Sequence, residues 1–141
     1  MAKKDKIVLT KAKRKTAVAR ARVAKGRGSV RVNSVPLSSI MPESAKREVM
    51  VPLVLAQGVM GSAFGEGLDI DVDVRGGGYM SRAEASKTAI AKGLVGWSES
   101  DDLKQAYLEY DRHLLVDDVR RKEAKKPLRS GARAKWQKSY R

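Results

Sequence analysis

Hydrophobic and polar positions alternate along parts of this chain and recur at helical spacing along others. Ala17, Ala19, Ala21 and Val23 stand against Val18, Arg20 and Arg22; after Lys25, Gly26, Arg27 and Gly28, Val30 and Val32 stand against Arg31. Period-two alternation divides side chains between the two faces of a strand, and the glycine-punctuated break reads as a turn, so residues 16–33 are expected to form a β-hairpin with one apolar face. A short apolar run at residues 7–10 and a basic knot of Lys11, Lys13, Arg14 and Lys15 precede it. The clearest strand lies further on, where Leu68, Ile70, Val72 and Val74 alternate with Asp69, Asp71, Asp73 and Arg75. Residues 43–57 follow a helical pattern that Pro52 interrupts, which predicts two short helices or a kinked one. Gly58, Gly61, Gly65 and Gly67 make a loose connection, and Gly76, Gly77 and Gly78 a tight one. Ser81 and Glu84 have the spacing of a capping box and open a helix reaching about Trp97, with Ala83, Ile90 and Leu94 on its apolar face. A last helix follows Asp101 and Asp102, with Leu103, Ala106, Tyr107 and Tyr110 on one side. Beyond Asp118 the periodicity stops, which divides the chain into a globular α/β domain at 1–119 and a tail at 120–141.

Charge sharpens that division. The 141 residues carry 30 Lys and Arg against 16 Asp and Glu, a net +14. Residues 1–35 hold a net +11, residues 36–119 a net −6, and residues 120–141 a net +9. Like charges gathered at both ends repel one another, so the arrangement calls for a polyanion, and nucleic acid suits it because each neutralised phosphate releases a counterion. A solvated basic tail without a partner is the bland alternative. The chain has no cysteine and a single histidine, His113, which removes disulfides, thiolate sites and most triads and His-based metal sites. No apolar run approaches the roughly 18 residues of a membrane span.

Four features could carry chemistry. Arg20, Arg22, Lys25, Arg27 and Arg31 line the polar face and tip of the expected hairpin, and the guanidinium fork can take two phosphate oxygens. Asp69, Asp71 and Asp73 on one strand face could hold a metal, although a solvated face or pairing with a basic segment accounts for them more simply. The strand, triple glycine and helix start could cradle an anion or could be only a tight turn; the glycines match neither the Walker nor the dinucleotide pattern. Trp136 and Tyr140 among Arg133, Lys135, Lys138 and Arg141 combine stacking surface with charge, as suits unpaired RNA, while Trp136 could instead anchor to a protein neighbour.

Residues 13–22 (KRKTAVARAR), 25–33 (KGRGSVRVN), 69–79 (DIDVDVRGGGY) and 136–141 (WQKSYR) resemble the family of ribosomal protein nine of the small subunit. The resemblance covers nearly the whole chain. The QKSYR ending looks archaeal or eukaryotic, and the short N-terminus without an organellar presequence favours an archaeal member. After the triple glycine the family commonly shows Gly-Gln, where Ser81 and Arg82 stand here.

The resemblance implies an α/β (α+β) two-layer sandwich, similar to domain two of ribosomal protein five with its left-handed βαβ unit, plus an extended basic C-terminal tail. It implies a cytoplasmic protein of the ribosome, seated on ribosomal RNA (rRNA) in the small-subunit head beside neighbouring head proteins. The tail would reach the peptidyl site, with Lys138, Tyr140 and Arg141 on the anticodon stem-loop of transfer RNA (tRNA). The residues expected on rRNA are Lys11, Lys13, Arg14, Lys15, Arg20, Arg22, Lys25, Arg27 and Arg31 near the N-terminus, then Arg75, Gly76, Gly77, Gly78 and Arg82. In the tail they are Arg120, Arg121, Lys122, Lys125, Lys126, Arg129, Arg133, Lys135 and Trp136. No cofactor, metal or membrane is expected, and no catalysis. A small phosphotransferase using the glycine turn and a DNA-compacting protein are the rival readings; the first lacks the Walker lysine, and a preference for structured RNA over duplex DNA would exclude the second.

Overall fold

A computed structural model describes residues 6–61 and 67–135. Strands β1 (Ile7–Arg14), β2 (Ala17–Lys25), β3 (Val30–Val32) and β4 (Val35–Pro36) come first; helix α1 (Glu43–Met60), strand β5 (Leu68–Arg75) and helices α2 (Tyr79–Ser98) and α3 (Asp101–Tyr110) follow. The five strands form one mixed sheet in the order β1-β2-β5-β3-β4.

The alternation of β2 and β5 is borne out. Ala17, Ala19, Ala21 and Val23 of β2 and Leu68, Ile70, Val72 and Val74 of β5 are buried on one face, and α2 lies across β1, β2 and β5 on that side. Helix α1 packs on α2 and α3, which completes a single apolar core. The alanine-rich underside of α2 lets helix and sheet come close: a Cβ on Gly93 would stand 2.7 Å from Val23 Cγ2, inside van der Waals contact.

The expected hairpin is corrected. β2 pairs with β1 through a turn at Lys15 and Thr16, and β5 inserts antiparallel between β2 and the parallel β3. The glycine-punctuated segment is therefore a loop that steps over β5, and the Asp69 carboxylate holds it by accepting from the Arg27 and Ser29 backbone N–H groups and from the Ser29 hydroxyl. The true partner of β3 besides β5 is the two-residue β4, reached through Asn33 and Ser34, both at left-handed φ as a tight hairpin turn requires. The basic knot is also not separate from the apolar run before it. Both belong to β1, with Lys11 and Lys13 outward, Ala12 buried, and Lys15 alone in the turn.

Two helix expectations change as well. α1 is continuous through Pro52, whose ring is buried and whose carbonyl accepts the Tyr107 hydroxyl at 2.7 Å. That bond ties α1 to α3 at the point where proline removes a helix donor. Burial pushes the Tyr107 phenol above its ordinary pKa, so it stays a donor. The capping box does not form: α2 starts at Tyr79 with Gly78 as its cap residue and no side-chain cap bond, and Glu84 pairs instead with Arg14. On α3, Leu103 and Tyr107 are buried as expected while Tyr110 is 59% exposed. No described helix is long and apolar enough to cross a membrane.

Candidate nucleic-acid interface

Among the described residues the sheet has helices on one face only, and the strand registers decide what the other face presents. Leu9, Arg22, Asp71 and Arg31 lie in one row across β1, β2, β5 and β3; Lys11, Arg20 and Asp73 form the next; Lys13, Val18 and Arg75 the third. Six cationic side chains, Lys11, Lys13, Arg20, Arg22, Arg31 and Arg75, thus share an open surface, and successive outward residues on a strand stand about 6.8 Å apart. Asp71 and Asp73 sit among them as cross-strand neighbours. Arg22 Nη1 is 4.0 Å from Asp71 and Arg75 Nε 3.5 Å from Asp73, loose exposed pairs that hold guanidiniums apart without neutralising the face. Among the described residues no three His, Cys, Asp or Glu side chains gather as a metal site would need. A concavity of about 720 Å³ runs over the first two rows, with the exposed Leu9 among its lining residues.

At one end of the sheet a second basic cluster forms around the triple glycine. Gly76 and Gly77 both have left-handed φ, and a Cβ on Gly76 would lie 2.6 Å from the Thr16 carbonyl oxygen. The glycines therefore seat the β5–α2 turn against the β1–β2 turn, which supports the tight-turn reading. This contact brings Arg75, Arg82 and Lys15 to one corner, where Arg82 Nε donates to the Gly76 carbonyl at 3.0 Å and Arg121 Nη2 to the Lys15 carbonyl at 3.3 Å. Lys25 and Arg27 stand exposed at the opposite end of β2.

Arg14 differs from its neighbours in the knot. Its side chain is largely buried; Nε donates to Glu84 at 2.5 Å, and Nη1 lies 3.2 Å from Asp118 without forming a hydrogen bond. Lys122, Lys125, Lys126, Arg129, Arg133 and Lys135 follow on a backbone with neither helix nor strand, where Arg133 pairs with Glu123. Trp136, Lys138, Tyr140 and Arg141 lie outside the described residues. Sequence reading also overlooked Asn33, whose side-chain amide bonds both the N–H and the C=O of Val74 and so completes the edge of β5. Lys92 and Asp118, which tie the start of the tail to the domain, were likewise missed. An asparagine between Val32 and Val35 and a carboxylate at the brink of a basic run were the available signals.

Two carboxyls are held below the usual range: Asp118 by hydrogen bonds from Arg120 and the charges of Arg120 and Arg14, and Asp69 by hydrogen bonds from Ser29 and Arg27 and the charge of Arg31. Each binds a proton less readily folded than unfolded, where it titrates near pH 3.9. The stabilisation is therefore present above about pH 4 and is lost as pH falls through the folded values. Urea midpoints are expected to be level between neutrality and about pH 5, then to drop on acidification, less steeply in D118N than in the parent. Equal acid sensitivity in both would show that Asp118 contributes nothing.

The chain matches the family model described as ribosomal protein S9/S16 over residues 12–141, which takes in β2 to β5 and the last three residues of β1. The small ribosomal subunit protein uS9 of Methanothrix thermoacetophila is 48% identical over 136 residues, 96% of this chain and 99% of the relative. The protein of the same name from Desulfurococcus amylolyticus is 48% identical over 138 residues, 98% of this chain and 95% of the relative. A family match across almost the whole length, with two relatives of nearly equal length at this identity, leaves one conclusion: the chain belongs to the ribosomal protein S9/S16 family.

Proposed function

We propose that this protein is a structural, non-catalytic component of the small ribosomal subunit head in the cytoplasm that grips rRNA phosphates with its open sheet face. The observation that carries this reading is the segregation of Lys11, Lys13, Arg20, Arg22, Arg31 and Arg75 onto the face that no helix covers. The glycine-turn corner with Lys15 and Arg82 extends the same surface toward the tail. The domain at 1–119 is the rRNA-binding body, and the segment at 120–141 is a basic arm whose Lys138, Tyr140 and Arg141 meet the anticodon stem-loop of peptidyl-site tRNA. Neighbouring head proteins are further partners. The finer fold belongs to this proposal too: β3 and β5 are adjacent parallel strands joined through α1, and we assign that crossover the left hand of the ribosomal-protein-five type, against the usual right-handed rule.

The test is salt dependence. If about six phosphates are engaged, the log-log slope of RNA affinity against salt is expected near −4 to −5. A slope near zero would sink the electrostatic account. The arm has its own test: removal of Tyr140 and Arg141 is expected to leave subunit incorporation intact and to weaken tRNA at the peptidyl site by about 1–3 kcal/mol, as loss of charge-assisted bonds to phosphate implies. Unaltered tRNA retention across a range of salt would refute that contact.

A further inference from the structure

The start of the basic arm is not left to diffuse. After α3 the chain lies along α2 and then beside β1: the Thr88 hydroxyl donates to the His113 carbonyl at 3.0 Å, and Lys92 Nζ meets Asp117 Oδ1 at 2.6 Å. Asp118 then forms a single parallel β-bridge with Arg14, at the free edge of the sheet. Its carboxylate is 8% exposed and gathers two guanidiniums, Arg14 of the sheet at 3.2 Å and Arg120 of the arm through Nη2 at 2.6 Å. Asp118 Oδ1 also accepts the Arg120 backbone N–H at 2.9 Å, which sets the direction of the next residues. Arg14 is itself fixed from the other side by Glu84 of α2. The arm then leaves over the β1–β2 turn, where Arg121 donates to the Lys15 carbonyl.

An arm of net +9 would be repelled from the corner that holds Lys13, Arg14 and Lys15. A carboxylate placed between the two cationic groups reverses the sign of that contact. We propose that Asp118 is a positioning residue, a negatively charged pin that fixes the root of the arm on β1 and sets the direction in which the arm leaves the domain. Its consequence for tRNA rests on the reading of the arm given above; the pin itself does not. Releasing the root lengthens the free arm by only a few residues, which lowers its effective concentration at a fixed target by less than about twofold. Loss of direction adds to this, and a total weakening of about two- to fivefold is expected.

The absence of cysteine allows a clean measurement. Nitroxides on S44C, exposed in α1, and A124C, exposed six residues past Asp118, report the distance between domain and arm root by pulsed electron resonance. The intact pin is expected to give one narrow distance peak. D118A is expected to broaden it at least about twofold, and D118N to fall between, because the amide keeps an acceptor for the Arg120 N–H but has no charge. If D118A does not fold, D118N alone decides. An equally narrow peak in the folded variant overturns the pin. Small subunits rebuilt with D118A should hold peptidyl-site tRNA about two- to fivefold more weakly, less than subunits lacking Tyr140 and Arg141. Broadened distances with unchanged tRNA binding, while the two-residue deletion does weaken it, would overturn the role in presenting the arm. A deletion without effect would instead remove the tRNA reading and leave the pin to be judged on distances.

Discussion

Gly76→Val is expected to destabilise the protein by about 2–6 kcal/mol, and Gly78→Ala by less than about 1 kcal/mol. Gly76 has φ +77°, a conformation in which a β-branched side chain costs about 1–3 kcal/mol. Its Cβ would also stand 2.6 Å from the Thr16 carbonyl oxygen, a backbone atom that moves only if the β1–β2 turn moves. Overpacking of that kind adds about 1–3 kcal/mol. Gly78 has an extended φ of −86° and nothing within 4 Å of the position its Cβ would take. Urea unfolding of the two variants separates these cases. Equal loss at both positions would mean that the turn needs flexibility in general and not this close approach. The Gly76→Val protein should also bind RNA less well than its remaining folded fraction implies, because the contact it breaks aligns Arg75 and Lys15 on one corner.

Replacing Arg20, Arg22 and Arg31 together with glutamine is expected to lower RNA affinity about a hundredfold at 0.15 M salt. The figure follows from counterion release. Three lost phosphate contacts at about 0.8 each change the salt slope by about 2.4, and extrapolation from 1 M, where the curves converge, gives about two decades at 0.15 M. The slope itself should fall from between −4 and −5 to between about −1.6 and −2.6. All three side chains point away from the core, so thermal stability should change little. Affinity that fell by the same factor at every salt concentration would indicate base-specific hydrogen bonds in place of phosphate contacts. In the opposite direction, neutralising Asp73 alone should raise affinity and steepen the slope, since that carboxylate offsets part of the positive field.

The two long central strands and the three helices were legible because each repeats a pattern over enough residues to reveal its own face. Residues 68–75 show two faces without error, and they are the sheet's middle strand. What periodicity does not encode is which strand lies beside which. The hairpin expected between β2 and β3 satisfied every local rule, yet β5 lies between them, where its four buried apolar residues continue the core face of β2 and Asp73 and Asp71 stand opposite Arg20 and Arg22, a match between segments about fifty residues apart. Ser81 and Glu84 show the reverse failure, a correct local signal overridden by a distant cation. The outward basic face was readable once alternation was noticed, since Arg20, Arg22 and Arg31 had to share one side of their strands. Arg14 was not, because it stands between the exposed cations Lys13 and Lys15 and only the fold turns it inward.

The sheet has two margins, and they are defended differently. At one margin β4 is two residues long and ends in Pro36, which has no N–H to offer a foreign strand. At the other, β1 is eight residues long and would be an open template for another chain. There the Asp118 bridge occupies one end of the exposed backbone, while Lys11 and Lys13 line the strand with positive charge. The bridge that directs the arm also denies β1 the edge-to-edge pairing through which sheets begin to aggregate.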